Sequence, residues 1–189
     1  AFDASTKFVV DHIESIDFDQ RVLCGRDDVV PFDYLLVTPG AEPDWRGHEE
    51  WKQHAVTLKT SRDAVRIYHR VARALEAAAE TDSAERRREE LTFVVAGAGP
   101  TGVELAAELA STLKLHVLPN ADDRLAENVR LILVDPVGNV LSELPEPVRR
   151  VARQQLEQYG LELRLGLRVT DCTEREVELS DGTVIASRH

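Results

Sequence analysis

The chain has 189 residues, a length that suits one large domain or two small ones. Hydrophobic residues make up 43% and charged residues 30%, the balance of a globular chain rather than a disordered or membrane-spanning one. A formal net charge of -11 would repel a phosphate backbone, so nucleic acid is excluded as a partner and anionic membrane surfaces are disfavoured.

Residues 7–10, 20–24 and 32–37 are short apolar or alternating runs separated by Asp- and Gly-bearing turns, and each predicts a strand. Thr38-Pro39-Gly40 stops the last of them. Residues 41–57, with Pro43, Gly47, Trp45 and Trp51, are loop-like and mark a boundary between two units. Thr60 followed three residues later by Asp63 reads as a capping box, and Ala64, Ile67, Tyr68, Val71, Ala72, Leu75 and Ala79 recur at helical spacing. Residues 80–90 are heavily charged, with Arg86, Arg87 and Arg88 offset by Glu85, Glu89 and Glu90, and predict a solvated linker.

Residues 91–96 form a continuous apolar run of the length of a buried parallel strand. Helical periodicity resumes over 103–113, and the polar stretch 113–127, with Pro119 and Asn120, predicts an inserted loop. A second buried strand covers 131–135, a helix 145–159 with Gly160 at its end, and a third strand 161–165. Residues 168–185 predict an antiparallel meander turning at Asp181-Gly182. The β-α-β-α-β order from residue 91 is that of a dinucleotide-binding half-unit, so the fold class is α/β, with a Rossmann-like parallel sheet and an antiparallel β-meander.

Within that order, Gly97-Ala98-Gly99-Pro100-Thr101-Gly102 follows a strand and opens a helix, the context that gives a G-x-G-x-x-G its meaning. Gly97 would allow a tight turn, Gly99 the approach of a pyrophosphate, and Gly102 close helix–strand packing. The helix N-terminus offers free N–H groups to the phosphates. Asp135, at the end of the second strand, is placed to accept from the adenosine ribose hydroxyls and to repel a 2′-phosphate, favouring NADH over NADPH. It lies 33 residues past Gly102 rather than the usual ~20 past the fingerprint, and the 113–127 stretch absorbs the excess.

Cys24 and Cys172 form no C-x-x-C, and His48, His54 and His69 lack the i, i+4 spacing of a helical metal site, so no metal is expected. Trp45 and Trp51 read as staples of the loop. No apolar run reaches the ~18 residues of a membrane span and no signal-peptide pattern is present, which points to a cytoplasmic setting. The absence of Met, with Ala1 first, fits a chain cut from a longer one.

Residues 91–106, and the Pro100-Thr101-Gly102-Val103-Glu104 segment above all, resemble the NADH-binding fingerprint of type II NADH:quinone oxidoreductases. These belong to the two-dinucleotide-fold flavoproteins of the pyridine nucleotide-disulfide oxidoreductase superfamily. Three further stretches agree in order. Residues 32–40 resemble the strand that closes the first part of the family's FAD domain, Leu58-Lys59-Thr60 its helix start, and residues 181–185 the turn leading back to the FAD domain.

The resemblance covers nearly the whole chain, yet only the middle of the family. It implies residues 1–43 as strands of an incomplete FAD domain and 44–189 as the NAD(H)-binding domain. It also implies a longer FAD-dependent NADH dehydrogenase passing electrons to a quinone, attached peripherally to the cytoplasmic face of a membrane. The fragment alone would be inactive and unable to cradle a flavin. Glu104 has two compatible readings: an acid favoured by the helix dipole, or, as the resemblance implies, a catalytic group hydrogen-bonding the nicotinamide carboxamide. The rivals are the NAD domain of a ferredoxin-, disulfide- or sulfide:quinone-type reductase, and a non-catalytic NAD-sensing module. A free sheet edge in residues 1–40 would let two copies pair as a homodimer.

Overall fold

The computed structural model describes residues 6–189, so the first five residues of the predicted amino-terminal segment lie outside the described residues. The chain forms two compact units, residues 1–41 and 42–189.

The first unit is an antiparallel three-stranded sheet of β1 (Ile13–Asp17), β2 (Val22–Gly25) and β3 (Val29–Pro31), in that order. Its organising group is Asp11, whose carboxylate accepts from the backbone N–H groups of His12, Arg26, Asp27 and Asp28 and so fixes the turn between β2 and β3. Partial desolvation pushes the Asp11 carboxyl up, but the four N–H donors outweigh it and hold the group below the usual carboxylate range.

Two predicted strands are corrected here. Residues 7–10 are irregular, and the strand begins instead at Ile13. Residues 32–37 also form no strand, although their composition favours one: β2 is already paired on both edges, and Tyr34 and Leu36 stand in solvent at 97% and 85% exposure. A strand exists only where a ladder partner takes up its N–H and C=O groups.

The second unit is built in layers. The parallel sheet runs β4 (Thr92–Ala96), β5 (Arg130–Asp135), β6 (Glu162–Leu165), with β5 central. Successive side chains of β5 serve opposite faces. Leu131 and Leu133 pack with Phe93 and the helices, while Ile132 and Val134 pack with Val177, Leu179 and Ile185 of the meander. That two-sided burial is why β5 reads as an unbroken apolar run. The meander consists of β7 (Val169–Cys172), β8 (Glu176–Leu179) and β9 (Val184–Ala186), all antiparallel.

Helix α1 (Ser61–Glu80) starts at the anticipated capping box: Asp63 N–H donates to Thr60 Oγ1, and Thr60 N–H donates back to Asp63 Oδ2. Its buried stripe falls on Val71, Ala74, Leu75 and Ala78, whereas Tyr68 is 69% exposed. The charged stretch after it is not a linker. It contains α2 (Ala84–Glu90), N-capped by Ser83, with Arg87 and Glu90 buried. Arg87 turns back on α1, donating from Nε to Ala78 O at 3.3 Å and from its guanidinium to Thr81 O at 2.5 Å. Orphan carbonyls at the end of one helix thus recruit the cation of the next.

The predicted loop 113–127 is likewise corrected. After α3 (Pro100–Thr112) the chain makes a π-helical turn over Leu113–Val117, a 3-10 turn over Leu118–Asn120 and the short helix α4 (Asp123–Ala126). Leu113 is buried, and Val117 and Leu118 pack on the core, which draws the stretch into helical turns. Helix α5 (Glu146–Gln158) then leads to β6.

Two predictions follow from this packing. Arg87→Met keeps the bulk but removes the donors to Ala78 and Thr81, and should lower unfolding free energy by about 2 kcal/mol in urea titration. Asp63 is held below its ordinary range by the Thr60 backbone N–H, then the Thr60 hydroxyl and the Lys59 N–H. Its folded pKa is depressed, so its stabilisation is present above about pH 4 and lost as pH falls through the folded value. Thermal melts should therefore show a smaller drop in midpoint from pH 5 to pH 3 for Asp63→Asn than for the parent chain.

Candidate nucleotide-binding site

At the carboxyl end of β4 the chain must leave the sheet and start a helix within four residues. Gly97 donates its N–H to Val134 O at 2.8 Å, adding one rung beyond the β4–β5 ladder, and then turns with φ +112°, a conformation that favours glycine. Gly102, in the first turn of α3, sits so close to this turn that a Cβ would overlap the Gly97 carbonyl oxygen. The two glycines are therefore required by each other. Around Gly99 there is open space, and Gly99, Pro100 and Thr101 are exposed.

No side chain caps α3. Gly99 occupies the N-cap, Pro100 has no N–H, and the N–H groups of Thr101 and Gly102 lack intrahelical partners. The helix thus presents free donors and the positive end of its dipole at an exposed edge, the arrangement that suits an anion. Its inward face is made of Val103, Ala106 and Ala110, small enough to let α3 lie close on the sheet.

Asp135 closes the site from β5. Its Oδ2 accepts from Ala98 N–H at 2.7 Å and its Oδ1 from Val137 N–H, also at 2.7 Å. The second bond is an Asx turn, and Leu141 N–H donates to Ala98 O at 2.8 Å. The loop after β5 is thereby tied to the fingerprint loop at two points. A carboxylate has about four acceptor positions, so two remain for a ligand's hydroxyls.

The structure thus brings Gly97, Ala98, Gly99, Pro100, Thr101, Gly102 and Asp135 together at one edge of the sheet. Glu104 follows two residues after Gly102 on α3, is exposed, and makes no hydrogen bond or ion pair among the described residues. The contributions of Val137 and Leu141 escape the sequence reading; only the Asp135-Pro136 pair, a turn signal, hints at the first. Elsewhere, His48 stacks on Trp51 with ring centroids 4.0 Å apart, and no group of three or more His, Cys, Asp and Glu able to hold a metal occurs among the described residues. Among those residues, no helix is long and apolar enough to cross a membrane. A cleft of about 420 Å³ lies at the opposite, amino-terminal end of β5, against Arg88, Asn128 and Arg130, away from the fingerprint.

Residues 2–188 match the pyridine nucleotide-disulphide oxidoreductase family. Over 165 residues the chain is 35% identical to the type II NADH:quinone oxidoreductase Ndh of Mycobacterium tuberculosis, a match covering 86% of this chain and 35% of that protein. A second such enzyme of that organism, NdhA, is 32% identical over 171 residues, covering 88% of this chain and 36% of the relative. The chain spans about a third of the length of these relatives. Among solved structures, NDH2 of Plasmodium falciparum in complex with NADH shares the fold with a TM-score of 0.76 at 18% identity, covering 92% of this chain and 37% of that one. With a strand–glycine turn–helix, an acid closing the second strand and a family match along nearly its whole length, the chain belongs to the pyridine nucleotide-disulphide oxidoreductases.

Proposed function

We propose that this chain binds NADH across residues 97–102 and is the NADH-binding portion of an FAD-dependent NADH dehydrogenase whose electrons pass to a quinone. The observation that carries the reading is the tie between Ala98 and Asp135, which sets an anion-binding helix end beside a carboxylate with free acceptor positions. In this reading the pyrophosphate accepts from the Thr101 and Gly102 N–H groups, and the ribose hydroxyls donate to Asp135. Farther along α3, Glu104 accepts from the nicotinamide carboxamide and so sets which face of the ring is presented.

Among the described residues, the first unit offers three antiparallel strands and then irregular backbone, with no glycine turn and helix N-terminus for a second pyrophosphate. In this reading FAD would supply the hydride acceptor and the relay to quinone. Residues 1–43 would then be strands of that FAD domain and 44–189 the NAD(H) domain. This chain's own work is to bind and orient NADH, and similarity to the mycobacterial quinone oxidoreductases supports quinone as the final acceptor.

A titration of the chain with NADH and NADPH tests the reading. NADH should bind more tightly than NADPH, and Asp135→Ala should weaken NADH by roughly tenfold, the worth of hydrogen bonds to a charged group. Failure of a folded chain to bind either nucleotide would overturn the proposal. Gly102→Ala, by forcing apart the Gly97 turn, should abolish NADH binding and lower the melting temperature together. Glu104→Gln should leave the melting temperature unchanged and weaken NADH by only a few-fold, since it retains an acceptor oxygen.

A further inference from the structure

The peptide that joins Ala98 to Gly99 decides which polar group the fingerprint loop shows to solvent. In a trans peptide the C=O and the N–H that follows it point to opposite sides, and no cis peptide occurs among the described residues. Ala98 is 2% exposed, and both of its polar groups face the loop after β5. Its N–H donates to Asp135 Oδ2 at 2.7 Å, and its carbonyl accepts from Leu141 N–H at 2.8 Å. With the Ala98 carbonyl drawn inward, the Gly99 N–H is turned outward. It finds no acceptor among the described residues and joins the N–H groups of Thr101 and Gly102 as a free donor at the start of α3.

Leu141 reaches that carbonyl from an unfavourable conformation. Its φ of +49° lies in the left-handed region, where a Cβ is crowded. The other non-glycine residues with positive φ among those described, Arg21 and Arg46, sit in exposed turns. Leu141 instead is half-buried and packs on the core of the second unit, next to the buried Val140, and its carbonyl accepts from Leu144 N–H at 2.8 Å. A glycine would adopt the turn freely but would not anchor it. The leucine side chain anchors it, and such strain persists only where the surroundings over-determine it.

We propose that Leu141 is a positioning residue for the nucleotide site. Its N–H, aimed by the left-handed turn, locks the Ala98–Gly99 peptide so that the Gly99 N–H, and not the Ala98 oxygen, faces the pyrophosphate. This role rests on the reading that NADH binds across residues 97–102. The reverse orientation would remove a donor from the anion and set the negative end of a carbonyl beside it, so the lock acts on the same charge twice.

Semisynthesis of the chain with leucic acid in place of Leu141 deletes this N–H and keeps the side chain. NADH should bind the resulting ester roughly tenfold more weakly, the worth of one hydrogen bond to a charged group, with circular dichroism unchanged. Leu141→Asn is the complement, because Asn tolerates the left-handed region and keeps the N–H but loses the apolar packing. It should lower the melting temperature and leave NADH affinity within about twofold of the parent. NMR of the chain labelled with ¹⁵N-glycine gives a readout without nucleotide. The Gly99 amide, identified by its loss in Gly99→Ala, should be a single sharp resonance in the parent. In the ester it should show microsecond-to-millisecond exchange as the peptide samples both orientations. An ester that binds NADH as tightly as the parent, or whose Gly99 amide is indistinguishable from the parent's, overturns the proposal. Should the parent chain bind no NADH, the underlying reading fails and the nucleotide role with it, a result distinct from a loss confined to the ester.

Discussion

The carboxylate of Asp135 accepts 2.7 Å hydrogen bonds from Ala98 and Val137 at once, and the candidate nucleotide edge of the second unit is built around that bridge. One bond fixes the glycine turn that launches α3; the other fixes the loop that leads to α5. Without it, the part-buried Ala98 N–H would lack its acceptor and the turn at Val137 would lose the bond that closes it. The Gly97 and Gly102 pair supplies the complementary steric constraint, since the turn and the first turn of α3 are too close for any side chain at 102. Electrostatic bridge and steric contact together hold the helix end open to solvent rather than capped by its own chain.

Elsewhere the unit keeps charges inside by giving each a partner. Arg87 is 6% exposed and is satisfied by carbonyls at the end of α1. Glu90 is equally buried and faces Arg188 at 3.4 Å and His189 at 3.4 Å. Burial pushes the His189 imidazole down, with the Glu90 carboxylate opposing. The residues after β9 return to β4 here: Ser187 Oγ donates to Thr92 O at 2.6 Å, and Val94 N–H donates to His189 O at 3.0 Å. These pairs are specific rather than strongly stabilising, because the desolvation of each ion offsets much of the attraction. They stitch α2, the meander and the sheet into one register.

Much of this was legible where a local rule and the tertiary demand coincide. The capping box at Thr60 and Asp63 needs only four residues to form, and the unbroken apolar runs of β4 and β5 need only a two-sided core. The glycine fingerprint was legible because its spacing is itself a geometric statement about a strand, a turn and a helix. The errors share one cause. Residues 80–90 carry a polar composition but are drawn into α2 because the end of α1 lacks donors that Arg87 can supply. Residues 113–120 hold Pro119 and polar neighbours, yet Leu113, Val117 and Leu118 reach the core. Residues 32–37 have strand-like composition, yet beyond the Phe32 N–H bond to Arg21 O no ladder continues among the described residues.

By itself, then, the sequence determined the class of the second unit and the identity of its candidate nucleotide edge. Those depend on periodicity, on two glycines and on one acid within a single β-α-β, all of them short-range or stereotyped. Only the tertiary structure decided that Asp135 binds the fingerprint loop itself and that a buried arginine caps α1. Each of these joins residues whose distance in space is set by how helices pack on the sheet, and spacing along the chain carries no record of that.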